Sequence, residues 1–350
     1  MVTSRVASTF LITLLTVVAF SCSEAGKPDE ADETGSVTAS DTASATPMDV
    51  TDAVSQRIVL KYTPNEVYRY RITQHTKMKQ DTIESTNSSS YVYSKRVHSV
   101  LAGGTFDVSM TIDSVTVSAA VRSISSSATL MSQSFNSADT SQRKDPRFAN
   151  MSAPIGVPVK LVIDTNGKIS KVSGIDSVTS RIIAMMPTTQ NITGEMRQML
   201  TKQIEQQVYG SFVGHEFLPY PEKALDSTLT WKRQQRSPQG PAFEISYEAT
   251  YKIESIKNVK GRRLATISAQ ISGTINPTTP PGGMPVKIDM SDSKITGTGR
   301  YVIDLDRGVT ISKKNTVRML VVGNGTDVQT GKKESFKQEQ ETTFNVELLP

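Results

Sequence analysis

"SYVYSKRVHSVLAGGTFDVSMTID", residues 90–113, decides the fold. Two polar–apolar runs flank a Leu-Ala-Gly-Gly break, and in the second run Val108, Met110 and Ile112 fall on one face. Alternation with period two marks a half-buried antiparallel strand, because successive side chains of a strand point to opposite sides. "VYRYRITQ" (67–74) repeats the pattern, with Tyr68, Tyr70 and Ile72 on one face and Arg69, Arg71 and Thr73 on the other. Thr, Ser and Val carry it through most of the body. The expected fold class is mainly β (α+β), built from antiparallel sheets.

The opening stretch has a second copy in "SYEATYKIESIKNVKGRRLATISAQ" (246–270). Tyr91 falls on Tyr247, Val97 on Ile253 and Val100 on Ile256; after one extra residue, Gly104 falls on Gly261 and Met110 on Ile267. Upstream, the strand around Tyr68 has a counterpart in "LTWKRQ" around Trp231, and downstream "LVIDTNGKISK" (161–171) matches "YVIDLDRGVTISK" (301–313). Three blocks in one order predict two related halves. Between them the period becomes helical. Asp176 is placed to cap a helix carrying Val178, Ile182, Ile183 and Met186, ended by Pro187. A second helix is expected from about Thr193, with Met196, Met199, Leu200, Ile204, Val208 and Phe212 on one face. "FLPYPEK" (217–223) reads as an extended connector, residues 123–150 as a polar Ser-rich break and 276–285 as a long loop. The expected organisation is a first β-rich half at 57–174, a helical insert and connector at 175–222, and a second β-rich half at 223–348.

Residues 1–21 read as an export signal: Arg5 precedes "FLITLLTVVAF" (10–20), which is too short for the roughly 20 apolar residues that span a bilayer. Cys22, the chain's single cysteine, follows Ala19-Phe20-Ser21, a sequence that resembles a bacterial lipoprotein signal. That resemblance implies cleavage before Cys22 and acylation there, so the expected partner is a membrane, reached through a lipid anchor on Cys22. Two or more acyl chains, at about 0.8 kcal/mol per buried CH₂, hold a protein stably. Ser23 in place of Asp points, by analogy with sorting rules, to the outer membrane. Residues 22–56 are expected to be an acidic disordered tether: between 23 and 52 eight acids face one base, Lys27, with few large apolar groups. The whole chain carries +5. Removing Arg5 and the tether's −7 leaves +11 on residues 53–350, scattered along strands rather than clustered, so nucleic acid is not an expected partner.

The chain order resembles an uncharacterised family of cell-envelope lipoproteins found in Bacteroidota and their relatives. The residues that carry the likeness are "YRYRIT" (68–73), "GKISKVSG" (167–174) and "YPEKALDSTLTW" (220–231). Asp226-Ser227 stands where the family has a glycine turn, so that turn is expected to differ. The resemblance implies class and envelope location and no activity.

Sequence motifs for chemistry are sparse. His75, His98 and His215 lack metal-ligand spacing, and "HEFLP" lacks the second His of a zincin. "SQRK" (141–144) is formally S-x-x-K, without the partner motifs of that chemistry and in an expected loop. "DTNG" (164–167) and "DLDRG" (304–308) offer oxygens to calcium but read as turns, where Asp and Asn accept backbone bonds and Gly supplies positive φ. No catalytic residue, metal or cofactor is expected, and the chain is not read as an enzyme. The expected function is a tethered, non-catalytic binding or structural module, whose partner is an envelope protein or a hydrophobic ligand. The alternative is a carrier of lipid or another hydrophobic ligand in a groove between sheet and helices, lined by Met185, Met186, Met196, Met199, Leu200 and Phe212. Flexible methionines suit such a surface.

Overall fold

The computed structural model describes residues 46–48, 57–186, 192–205, 216–239, 243–277, 286–290, 292–327 and 333–350. The signal, Cys22, Pro187, Val208, Phe212 and His215 lie outside the described residues.

The strands are β1 (Thr46–Met48), β2 (Val67–Gln80), β3 (Ile83–Val100), β4 (Phe106–Ser123), β5 (Thr129–Asn136), β6 (Val159–Ile163) and β7 (Ile169–Ser173). After the helical insert come β8 (Thr230–Gln239), β9 (Phe243–Val259), β10 (Arg262–Pro277), β11 (Val286–Asp289), β12 (Lys294–Asp304), β13 (Val309–Asp327) and β14 (Lys333–Leu349). They form one 14-stranded sheet in the order β1-β9-β10-β12-β13-β14-β2-β3-β4-β6-β7, with β5 on β4, β8 on β9 and β11 on β13. Each pair of neighbours in that path is antiparallel, as the alternation requires. β14 is the seam, laddered to β13 on one side and to β2 on the other.

On either side of the seam the order repeats: β2-β3-β4-β6-β7 and β8-β9-β10-β12-β13. Gly104 and Gly261 both turn their hairpins at positive φ, 78° and 79°. The register refines the sequence match. Val97 pairs with Val108 and Ile253 with Ile267, so the partner of Ile267 by ladder position is Val108, two residues before Met110. A shift of two leaves every side chain on the same face.

Several expectations are corrected. Residues 123–150 are not a polar break: they form β5, α1 (Thr140–Lys144) and α2 (Ala149–Ser152), pinned by buried Phe135 and Phe148 with ring centroids 5.1 Å apart. "SQRK" therefore sits on a helix, capped by Asp139, whose carboxylate accepts from Ser141 N at 2.8 Å. The third helix, α3 (Ile175–Met185), starts from Gly174 at φ 89°, and Asp176 lies inside its first turn instead of capping it. A carboxylate there still favours the helix dipole. Met186 is extended, the conformation a residue before proline prefers. The fourth helix, α4 (Gly194–Ile204), starts where expected, and Thr193 caps it, its hydroxyl accepting from Met196 N. Part of the tether is ordered too. β8 covers the outer edge of β9 only as far as Lys252, and β1 pairs with Ile256–Asn258 beyond it. A bare strand edge is a ready template for such pairing.

The inner face of the sheet buries one continuous apolar cluster that includes Tyr62, Tyr70, Val108, Phe217, Tyr251 and Ile303. Two segments cross it. Residues 58–62 run between the β6–β7 and β12–β13 turns, with Leu60 N donating to Thr165 O at 2.8 Å and Lys61 N to Arg307 O at 2.7 Å. The connector contributes buried Phe217, Leu218 and Tyr220. Both turns are Asx turns: Asp164 accepts from Asn166 N and Lys168 N, and Asp304 from Asp306 N and Arg307 N. Gly308 has φ 67°, and a Cβ there would lie 2.2 Å from Val59 O. Gly308→Ala should therefore destabilise by more than the roughly 1–2 kcal/mol of a left-handed non-glycine residue. Gly103→Ala, at φ 80° with open space around it, isolates that backbone cost. Urea unfolding of the two variants compares them, and the Gly308 change should cost clearly more.

Candidate functional site

Period two turns Lys95 of β3 inward with Tyr93 and Val97, into the core. Its Nζ lies 5.0 Å from the ring centroid of Tyr62, 5.1 Å from Tyr70 and 4.9 Å from Phe217. It donates to Tyr62 Oη at 2.5 Å and to Glu216 Oε1 of the connector. Tyr93 Oη donates to Glu216 Oε2 at 2.6 Å. The Lys95 and Glu216 side chains are 0% and 1% exposed. Around them, Thr310 Oγ1 donates to Glu216 O at 2.9 Å, Tyr70 Oη to Thr310 O at 3.0 Å, and Tyr220 Oη to Gly308 O. The connector is thus bonded to β3 by its carboxylate and to β13 by its backbone. A buried charge is tolerated only when paired and hydrogen-bonded, and both conditions are met. The aromatic faces add a cation–π contribution.

Burial pulls the Lys95 ammonium below the usual lysine range, against the attraction of Glu216. Burial likewise pushes Lys313 of β13, whose Nζ sits 5.4 Å from the Tyr301 ring, down to about 8. It drives Tyr62, Tyr70 and Tyr93 well above the ordinary phenol range. For a lysine with a lowered folded pKa, the unfolded chain binds more protons between the two values. Stability therefore rises with pH from about 8 towards the ordinary lysine value of 10.5. Above about 10 the tyrosines act with the opposite sign, since only the unfolded chain loses their protons. Unfolding free energy is expected to climb from pH 7 to about 9.5 and then fall, and Lys313→Met should flatten the rising limb. Urea titrations across that range check both.

A lysine of lowered pKa, a carboxylate and tyrosines are ingredients of proton transfer, but these groups are sealed from solvent and satisfy one another. Their arrangement is a latch. The sequence reading passed over Lys95 and Glu216, although a lysine at the inward phase of an alternating strand was a visible signal.

The residues expected to line a groove divide. Met185 and Leu200 turn inward and pack on the core. Met186, Met196 and Met199 face outward, 40%, 47% and 72% exposed. α3 and α4 join through Thr179 and Thr201 hydroxyls 3.1 Å apart. His75 and His98 sit apart on exposed strand positions, each against a serine hydroxyl, Ser88 at 2.6 Å and Ser109 at 2.9 Å. The "YPEKALDSTLTW" segment makes a cleft of about 290 Å³ bordered by Glu222, Trp231 and Arg233. Its turn needs no glycine: Leu229, at φ 55°, donates its N–H to Asp226 O at 3.0 Å.

The model of DUF6263, a family of unknown function, matches residues 109–310, more than half of the chain. The chain belongs to this family. The match runs from β4 through the helical insert to the start of β13, so it spans the connector and the Glu216 end of the latch. No curated protein matches the chain. Among solved structures, lipovitellin, in a study of its lipid–protein interactions, is similar at 12% identity and a TM-score of 0.41. That match covers 83% of this chain, which spans 26% of the lipovitellin chain. OccK7 (OpdD) of Pseudomonas aeruginosa is 7% identical with a TM-score of 0.21, over 81% of this chain and 98% of its own. An outer membrane channel of Pseudomonas putida F1 is 7% identical with a TM-score of 0.17, over 86% and 100%.

Proposed function

We propose that the protein is a cell-envelope lipoprotein of the outer membrane, anchored through acylated Cys22, whose body is a non-catalytic binding or structural module made of two duplicated halves. The observation that carries the binding reading is the latch. The inner face at the turn end of the sheet is filled by residues 58–62 and the connector, so the chemistry open to a partner lies on the outer face and edges. The repeated strand order and the paired left-handed glycines support the duplication. The acidic, Ser/Thr-rich segment before β1 suits a leash. At about 5–6 Å × √n, its roughly 23 residues between Cys22 and β1 would hold the body about 25–30 Å from the membrane.

Cys22→Ala is expected to abolish labelling by radioactive palmitate and to release the protein from membranes. Retention of both label and membrane association would refute the anchor.

The carrier reading is favoured by one observation, the outward methionines at the end of α3 (Met186) and on α4 (Met196 and Met199). Native mass spectrometry and solvent extraction of the purified body separate the two readings. Stoichiometric co-purifying lipid supports the carrier, and an empty body supports the binding module.

A further inference from the structure

Along the outer face of the sheet several bases sit against acids. Arg69 meets Asp113 at 3.3 Å, Lys77 meets Glu84 at 2.9 Å, Lys232 meets Glu248 at 2.7 Å and Arg318 meets Glu341 at 2.5 Å. At one ladder position two bases face each other instead. Arg300 of β12 and Lys314 of β13 are directly opposite each other in the ladder, both exposed, with no acid within ion-pair distance among the described residues. Like charges set directly across two strands repel and destabilise the sheet. The acids closest along the ladders are engaged elsewhere: Glu347 pairs with Arg71 at 3.6 Å, and Glu254 with Lys252 at 3.2 Å and with Ser268 Oγ at 2.6 Å.

The two cations border a cleft of about 450 Å³ over β12, β13 and β14. Thr298, Ser312 and Thr316 supply its hydroxyls, Asn345 an amide whose nitrogen donates to Thr73 Oγ1 at 3.2 Å, and Glu347 a carboxylate on its border. The ladder explains the grouping. Thr298 pairs with Thr316 two residues from the Arg300–Lys314 pair, and Lys314 pairs with Asn345 on its other side. Period two sends all these side chains to one face. Two cations with hydroxyls around them, the bordering Glu347 being paired with Arg71, are the complement of a compact oxyanion, which charge-assisted bonds hold strongly.

We propose that this cleft binds a phosphate group, presented either by a free phosphate compound or by a phospholipid headgroup. The proposal rests on the reading of the body as a binding module and gives that module a ligand class. An anion seated between Arg300 and Lys314 would cancel the repulsion that the free sheet carries.

The test uses the full chain carrying Cys22→Ala, so that no acyl chain contributes. Calorimetry with inorganic phosphate, at ionic strength matched with chloride, measures the free ligand. Sedimentation with phosphatidylglycerol vesicles, against neutral phosphatidylcholine vesicles, measures the headgroup. Saturable binding to either probe, weakened about tenfold or more in Arg300→Gln/Lys314→Gln, is the expected result. Phosphate binding identifies a free compound, and vesicle binding alone identifies the headgroup. The double variant should fold with equal or higher thermal stability, because a repulsive pair has been removed. Absence of binding to both probes overturns the proposal, as does binding that the double variant retains. Neither failure touches the anchor, which the palmitate experiment decides separately, or the lipid content of the body.

Discussion

Glu216→Ala is expected to lower the unfolding free energy by about 3–5 kcal/mol, the cost of breaking a buried ion pair by removing one partner. The change leaves the Lys95 ammonium inside an aromatic cage with no counter-charge, and it strips Tyr93 Oη of its acceptor. The Lys95 pKa, already lowered by burial, loses the attraction and hydrogen bond of Glu216 that raise it. The amine should then discharge more readily, so the variant recovers part of its stability as pH rises, more steeply than the parent. Lys95→Met/Glu216→Leu should lie much closer to the parent than either single change, because two apolar residues remove both charges at once. Urea unfolding at pH 7 and pH 9 reads all of these. Equal midpoints for Glu216→Ala and the parent would show that the pair does not hold the connector.

The strands of the body were legible because each presents one dry and one wet face over many residues. Tyr68, Tyr70 and Ile72 are all buried, as their phase requires. The helices of the insert were legible from their period. β5 was not, because an edge strand whose residues are nearly all exposed has no reason to alternate. The seam was not legible either. Pairing of Arg69–Gln80 with Gln338–Leu349 leaves no local signal, since any two amphipathic strands could meet there.

The latch divides the same way. Lys95 stood at an inward position that parity reveals, whereas Glu216 lies 121 residues away on a segment with no periodicity. The exposed Met196 and Met199 show the converse error. An apolar stripe on a helix predicts a buried face, but α4 spends only Leu200 and Ile204 on the core. The Arg300–Lys314 juxtaposition depends on the register of two strands and a β-bulge between Val302 and Ile303, so it needed coordinates.

Val108→Asp is expected to shift the unfolding transition seen by Trp231 as far as the one seen by far-UV circular dichroism. Val108 is 0% exposed in β4, laddered to Val97 and Leu161. A carboxylate there has no partner and costs several kcal/mol through lost hydration. Trp231 is the chain's single tryptophan and lies across the seam, on β8. Its ring stacks on Tyr251 at 5.2 Å, and its Nε1 donates to Pro219 O at 2.8 Å. It therefore reports on the half that does not contain the substitution. Three connections couple the halves: the β14 ladders, residues 58–62 bonded to both turns, and the latch from β3 to the connector. Each must break before either half can open alone, so the body should unfold as one cooperative unit. A Trp231 transition that stays in place while the dichroism splits into two steps would show that the seam joins two independently stable lobes.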